Sequence, residues 1–594
     1  NFSIPDFITS PANLYISYAA QNMFPGSSIR FYYNNNLLNT YSLLISSEDS
    51  YVRDEKKMTF TPNTSSVNIK ITVNRSNPSV LTYLDKIEIF AKRQLVLSGS
   101  TMYFRTTDNV GAGNVNKYVI GNVAPNAEVW DVTSRTAPVR MNGQHSGTDY
   151  SFNSLADTIR EFVVFTPSGY LSPTFVEEVY PQNLHALPYA DILIVTHPKF
   201  LTYANRLADL HRNDGESVHV VTTKQVYNEF SGGQPDPVGI RFFAKMFYER
   251  GAGNSDLIPE NLILFGNGHY DPRSIVEGES YVLSYQAENS ETSISAFTSD
   301  DFFVVLDDAE AFNPSDKLDM GVGRMVVSTN EEAEILLRKT ESYLHNLYNS
   351  VSTHGDWRLK YTLIADAEDV FITGDCEYVY NKVKNGHPEM IATKIYADAY
   401  PQQITAGGIR FPEMENDINR KIEEGCLLIS YVGHGGVKGA GQERFITLEQ
   451  IKNWSNPDKL HLFVSATCDF TRADDPRIES AGTVSLLNPN GGAVALMTTT
   501  RSIFYNVNTD VDTNFYNAVF LRDAAYKPLS FGQIFKMTKN GASSSDNKRS
   551  FMLIGDPALR LVLPKWKIVT DSLNGVEIAN SNIDTLKSLS KITV

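Results

Sequence analysis

Apolar and polar residues alternate one for one through "SVNIKITV" (66–73), "KIEIFA" (86–91) and "AEVWDVTS" (127–134), with Asn, Gly and Ser turns between them. A period of two marks strands that bury one face. Tyr and Phe are frequent in this stretch and helical spacing is rare. Residues 1–180 are therefore expected to form an all-β domain, a β-sandwich or jelly-roll.

The pattern changes near residue 181. Continuous apolar runs such as "DILIVTH" (191–197), "SVHVVTT" (217–223) and "NLILFGNG" (261–268) read as strands buried on both faces. Between the first two lies "FLTYANRLADLHR", spaced as a helix. Asp236 followed by Pro237 predicts an N-cap and a first helical residue, and Thr329 with Glu332 predicts a capping box. After "THGDWRLK" (353–360) the strands "YTLIADA" (361–367), "CLLISYVG" (426–433), "LHLFVSAT" (460–467) and "GAVALMTT" (492–499) follow, separated by helices such as "FPEMENDINRKIEEG". Strand–helix alternation predicts largely parallel α/β structure, in two subdomains at 181–352 and 353–564. They share one long sheet or hold two sheets side by side. From 565 to 594 the alternation turns β-like again, as the start of a further small β-domain.

Bulk properties narrow the function. A chain of 594 residues exceeds one core, and 42% hydrophobic with 20% charged residues is ordinary for a globular protein. No apolar run is long enough to span a bilayer. The opening "NFSIPDFITS" lacks a basic stretch followed by an apolar one, so any export signal is expected to lie outside this sequence. A net charge of −16 argues against nucleic acid as a partner, because phosphate binding needs clustered Lys and Arg.

Candidate chemistry sits at two strand ends. "LLISYVGHGG" places His434 among glycines just past one apolar run, and "LHLFVSATCDF" places Cys468 just past another. Sites in parallel α/β sheets gather at the carboxyl ends of strands. An imidazole beside a thiol favours the thiolate, which can attack a carbonyl while the imidazolium protonates the leaving amine. Gly433, Gly435 and Gly436 allow close backbone approach, and the amides of Gly435 and Cys468 can donate to an oxyanion. A buried structural cysteine is the plainer alternative. Cys426 reads as a core position, and Cys376, opening a helix, is a weaker competitor. No CxxC or HxxxH cluster accompanies the pair, so zinc is not expected. Asp300, Asp301, Asp307 and Asp308 in "TSDDFFVVLDDAEAF" form an acidic segment that can ligate calcium or simply be solvated.

Beyond His434 and Cys468, "SYVGHGG", "LFVSATCDF", "GGAVALMTTT" and "LIGDPALRL" follow an order and spacing that resemble the gingipain family of caspase-like cysteine peptidases. The resemblance runs from about 187 to 564. "QNLHAL" and "FGNGHYDPR" bring it nearest to the type IX secretion sortases within that family. It implies a caspase-like α/β catalytic domain of two subdomains, preceded by an all-β domain and followed by an immunoglobulin-like one. Cys468 becomes the nucleophile, His434 the general base and acid, and Gly435 with the Cys468 amide the oxyanion hole. Glu368 is matched to the acid that orients the histidine, with Asp366 and Asp369 beside it. Tyr505, Arg501, Asp375 and Glu377 are matched to the substrate pocket, where Arg501 would oppose a basic substrate side chain.

The implied activity is that of a sortase at the bacterial outer-membrane surface. It would remove the C-terminal signal domain of secreted cargo through a Cys468 thioester and pass the cargo to anionic lipopolysaccharide. Outer-membrane partners of the secretion complex (PorV- or PorZ-like) are implied, and no cofactor beyond a structural calcium. A plain gingipain-like hydrolase and a non-catalytic scaffold of the complex are the competing readings.

Overall fold

The computed structural model describes residues 1–251, 253–273, 278–292, 294–346, 351–367, 370–406, 408–564, 570–578, 591 and 593. The chain forms two compact units, Asn1–Pro181 and Gln182–Val594.

The first unit is all-β, as expected, but it carries two cores instead of one sandwich. In the first, Ala12–Gln21 is flanked by Val52–Phe60 and Leu81–Phe90, and Ser28–Tyr33 by Asn36–Ser42 and Ile69–Asn74. The inward residues of these two sheets, among them Leu14, Ile16, Phe31 and Met58, form one cluster. A second pair of sheets encloses Phe104, Tyr118, Phe152 and Phe162. Period-two alternation reports that each strand has a buried face, and does not say which other strands share it.

The second unit is built on one ten-stranded sheet, so the two α/β blocks share it. Its strands in chain order are β1 (Ile192–Thr196), β2 (Val218–Thr222), β3 (Asn261–Phe265), β4 (Gly321–Met325), β5 (Lys360–Ala365), β6 (Ile391–Tyr396), β7 (Leu428–Val432), β8 (His461–Ala466), β9 (Ala493–Thr499) and β10 (Phe551–Gly555). Their spatial order is β2-β1-β3-β4-β10-β9-β8-β7-β5-β6. Neighbours are parallel within β2 to β10 and within β9 to β6. The two halves meet in a single antiparallel pair, β9 with β10. Helices cover both faces, which is why the strands read as unbroken apolar runs.

One face packs under α2 (Thr223–Phe230), α3 (Pro237–Arg250), α5 (Val370–Gly386), α9 (Tyr505–Ala518) and α10 (Phe531–Gly541). The other packs under α1 (Leu201–Asn213), α4 (Asn330–Glu341), α6 (Pro412–Glu424), α7 (Leu448–Asn453) and α8 (Ala481–Leu487). The predicted caps are present. Asp236 accepts from the Val238 amide, and Thr329 and Glu332 bond each other's backbone amides. Past β10 the described residues hold a short hairpin, Ser572–Leu573 with Val576–Glu577; most of the expected 565–594 β-domain lies outside the described residues.

Candidate active site

Strands β7 and β8 lie side by side, parallel and in register from Leu428↔Leu462 to Val432↔Ala466. Paired residues of adjacent parallel strands share a face, and the strands lie about 4.8 Å apart. Val432 and Ala466 pack together in one apolar cluster with Ala365, Ile372 and Cys376. His434 and Cys468 each stand two residues past this last pair and leave the carboxyl edge together. His434 is exposed and Cys468 half-buried.

The glycines around His434 are required by contact. A Cβ on Gly433 would come within 2.4 Å of Asp366 Cβ, and one on Gly435 within 2.5 Å of Thr467 Oγ1. The histidine loop therefore lies directly against the residue preceding the cysteine. Gly441 donates its N–H to the His434 carbonyl at 2.8 Å, while Gly435 faces Ala440 in the same short hairpin. Bonded and non-bonded pairs alternate in an antiparallel ladder, so the Gly435 N–H points away from its hairpin partner.

Beneath the loop lies Asp366, 2% exposed at the end of β5. Its Oδ2 accepts the backbone N–H of His434 at 2.7 Å, and its Oδ1 accepts that of Ala367 at 2.8 Å. The Tyr431 hydroxyl lies 3.2 Å from Asp366 Oδ2 and 2.5 Å from the His434 carbonyl oxygen. Burial and the Asp366 charge push that phenol well above its ordinary pKa, so it stays a neutral donor. Asp366 thus holds the main chain of the histidine. Glu368, the sequence candidate for orienting the ring, lies outside the described residues.

The Cys468 sulfur is held by one backbone unit. Ile503 N–H donates to Sγ at 3.5 Å, and the thiol lies 3.7 Å from Ile503 carbonyl oxygen. Burial pushes the thiol pKa up, and the Ile503 amide opposes this. Cys376 and Cys426 are fully enclosed, and burial raises both thiols further. Neither faces a cleft.

The expected pocket residues separate. Tyr505, at the head of α9, donates its hydroxyl to Asp375 Oδ2 on α5, which also accepts from Thr509 Oγ1 at 2.7 Å. These two stay together, joined across α5 and α9. Glu377 turns away to Lys394, 2.7 Å from it at the β6 edge, because helical geometry points residues two apart to different sides. Arg501 is committed within the protein. Its guanidinium forms a two-pronged ion pair with Asp474, at 3.0 and 2.5 Å.

The four acids of the calcium expectation also separate. Asp300 pairs with buried Arg324 at 2.6 Å, and Asp301 with Lys539 at 2.9 Å and Arg549 at 3.1 Å. Asp307 accepts from the Tyr248 hydroxyl at 2.7 Å, and Asp308 pairs with Lys245 at 2.9 Å. Among the described residues no three His, Cys, Asp or Glu side chains converge as metal ligands. The short-range sequence cluster is dispersed because successive positions face different packing partners. A cavity of about 600 Å³ lies elsewhere, between Asn267, Ser328 and the 472–479 segment, and includes neither His434 nor Cys468.

The profile of peptidase family C25 matches residues 185–562, the span of the ten-stranded sheet and its helices. This chain belongs to peptidase family C25. No curated protein matches it. Among solved structures, dimeric latent PorU from Porphyromonas gingivalis matches with a TM-score of 0.64 and 21% identity, over 98% of this chain and 51% of that one. The chain thus spans about half the length of the PorU chain. The Arg-specific cysteine proteinase gingipain R matches with a TM-score of 0.47 and 14% identity, over 62% of this chain and 77% of that one. The chain has the caspase-like α/β fold with an all-β region before it. No described helix is long and apolar enough to cross a membrane.

Sequence reasoning placed His434, Cys468 and the glycines at this edge. It named Asp366 only as an alternative, and missed Tyr431, Ile503 and Asp474. Tyr431 sits inside an apolar run and Ile503 acts through its backbone, so neither leaves a side-chain signal in the sequence.

Proposed function

We propose that this C25 peptidase is a cell-surface sortase that cleaves the C-terminal signal domain from secreted cargo and transfers the cargo to an amine acceptor. The observation that carries the chemistry is the in-register delivery of His434 and Cys468 by β7 and β8. The Cys468 thiolate attacks the scissile carbonyl, and the Gly435 and Cys468 amides receive the oxyanion. His434 protonates the leaving amine, releasing the signal domain and leaving an acyl thioester on Cys468. His434 then takes a proton from the incoming amine as it attacks the thioester, and the free thiol is restored. Asp366 fixes the histidine backbone, and Asp375 with Tyr505 forms one wall of the substrate cleft.

Transfer in place of hydrolysis needs the amine bound close to the thioester while water is excluded. The amine of anionic lipopolysaccharide is the proposed acceptor, and the outer membrane with its secretion complex the proposed setting. The likeness to PorU supports this reading because it extends across 98% of the chain, through the β-rich first unit. The test is mass spectrometry of cargo termini after incubation with and without an amine acceptor. Processing should vanish in Cys468→Ala, and the new terminus should carry the amine. Water at every new terminus would leave a hydrolase, and unchanged processing in the variant would remove Cys468 from the chemistry.

A further inference from the structure

We infer that Arg501 is a positioning residue for the nucleophile: through Asp474 and Thr298 it holds the Ile503 amide against the Cys468 sulfur. This rests on Cys468 being the reacting thiol. The loop 500–504 follows β9, and its Ile503 N–H and C=O are the groups that contact Sγ. Its placement is set at both ends. At the far end the Phe504 amide donates to Asn547 Oδ1 at 2.6 Å, and Asn547 Nδ2 donates back to the Ser502 carbonyl at 3.0 Å.

At the near end Arg501 ties this loop to the segment that follows the cysteine and to Thr298. Its two terminal nitrogens donate to the two oxygens of Asp474, and one also reaches Thr298 Oγ1 at 3.2 Å. Thr298 Oγ1 in turn donates to Asp474 Oδ2 at 2.6 Å. The Arg501 carbonyl accepts the N–H of Asp469, the residue after the nucleophile, at 3.4 Å. Asp474 is 1% exposed, and its own carbonyl accepts from the Tyr270 amide at 2.8 Å.

The arrangement is costly as stabilisation alone, because desolvating two charges offsets much of their attraction. What a buried fork does supply is geometry: two parallel bonds and a third to a hydroxyl fix one orientation, which a lysine cannot reproduce. The N–H···S bond it preserves stabilises the thiolate over the thiol. Burial and the neighbouring Asp469 charge raise the thiol pKa and this amide opposes the rise, so displacing Ile503 leaves both raising influences uncompensated.

The experiment measures the rate of iodoacetamide alkylation of Cys468 against pH, by peptide mapping of the folded full chain. Cys376 and Cys426 are buried and serve as internal controls for folding. In Arg501→Gln and Arg501→Lys the apparent thiol pKa should rise, each unit lowering the neutral-pH rate about tenfold. Thr298→Val removes a single hydroxyl from the hub, and should shift the profile in the same direction by less. It keeps the test valid if the Arg501 variants fail to fold. A wild-type profile in the folded variants, whatever the change in melting temperature, would overturn the inference and leave a structural ion pair. Because alkylation needs no substrate, this outcome is independent of whether Cys468→Ala abolishes cargo processing.

Discussion

At the scale of single residues, the site depends on atoms that are absent as much as on those present. Gly433 has φ +153 and sits against Asp366 and Tyr431. Gly433→Ala would force a Cβ to within 2.4 Å of Asp366 Cβ and 2.8 Å of the Tyr431 hydroxyl. The variant should lose about 1–3 kcal/mol of stability, and its Cys468-dependent cleavage should fall sharply as the histidine loop lifts. Chemical denaturation and a peptide-cleavage assay check the two parts. The glycines were legible because a histidine wedged between them is unusual after a strand. That Asp366 accepts the His434 N–H was not, since three acids crowd residues 366–369 and no local pattern distinguishes them.

At the scale of elements, α9 carries a polar stripe into the core. Asn508, Asp512 and Tyr516 recur at helical spacing and are all buried. Asp512 accepts from Ser430 Oγ of β7 at 3.2 Å. Burial lifts its pKa from 3.8 to about 7, with Asp375 adding to the rise and Ser430 opposing it. A folded-state value above the unfolded one means the folded protein binds this proton more tightly. Stability from this group is therefore fully present below about pH 4 and declines as the pH rises towards 7, by at most about 1.4 kcal/mol per unit. Asp512→Asn should flatten that decline and leave the variant more stable than the parent at pH 8. Thermal unfolding from pH 5 to 8 would show it, and parallel curves for the two proteins would refute it. The helix itself was invisible to sequence reading, which matched Tyr505 of its first turn only to a substrate pocket; its polar stripe masks the apolar one of Val507, Val511 and Phe515 that packs on the sheet.

At the scale of the whole second unit, the two parallel halves meet only at β9 and β10, and buried charges tie the two sequence blocks together. Asp301, from the first block, pairs with Lys539 and Arg549 from the second, and all three are almost wholly enclosed. Burial lowers Lys539 to about 8, with Asp301 holding the charge against it. Asp301→Ala would strand two buried cations, and should cost about 3–5 kcal/mol. Added calcium should leave the melting temperature of the parent unchanged, because the Asp300 and Asp301 carboxylates are already committed to Arg324, Lys539 and Arg549. A calcium-dependent rise would show that the acidic segment rearranges to bind it.

The chain's own pattern was enough to determine its two classes of structure, the change near residue 181, the helix caps and the strand ends bearing His434 and Cys468. These are local properties: periodicity, capping chemistry and the punctuation of apolar runs each depend on residues a few positions apart. The tertiary structure alone decided that the two blocks share a sheet with one antiparallel seam, and that the first unit has two cores. It also decided that Arg501, Asp300, Asp301 and Asp308 are bound in ion pairs. Those outcomes depend on which distant charge or face arrives opposite each residue, with partners separated by up to 248 positions in the chain.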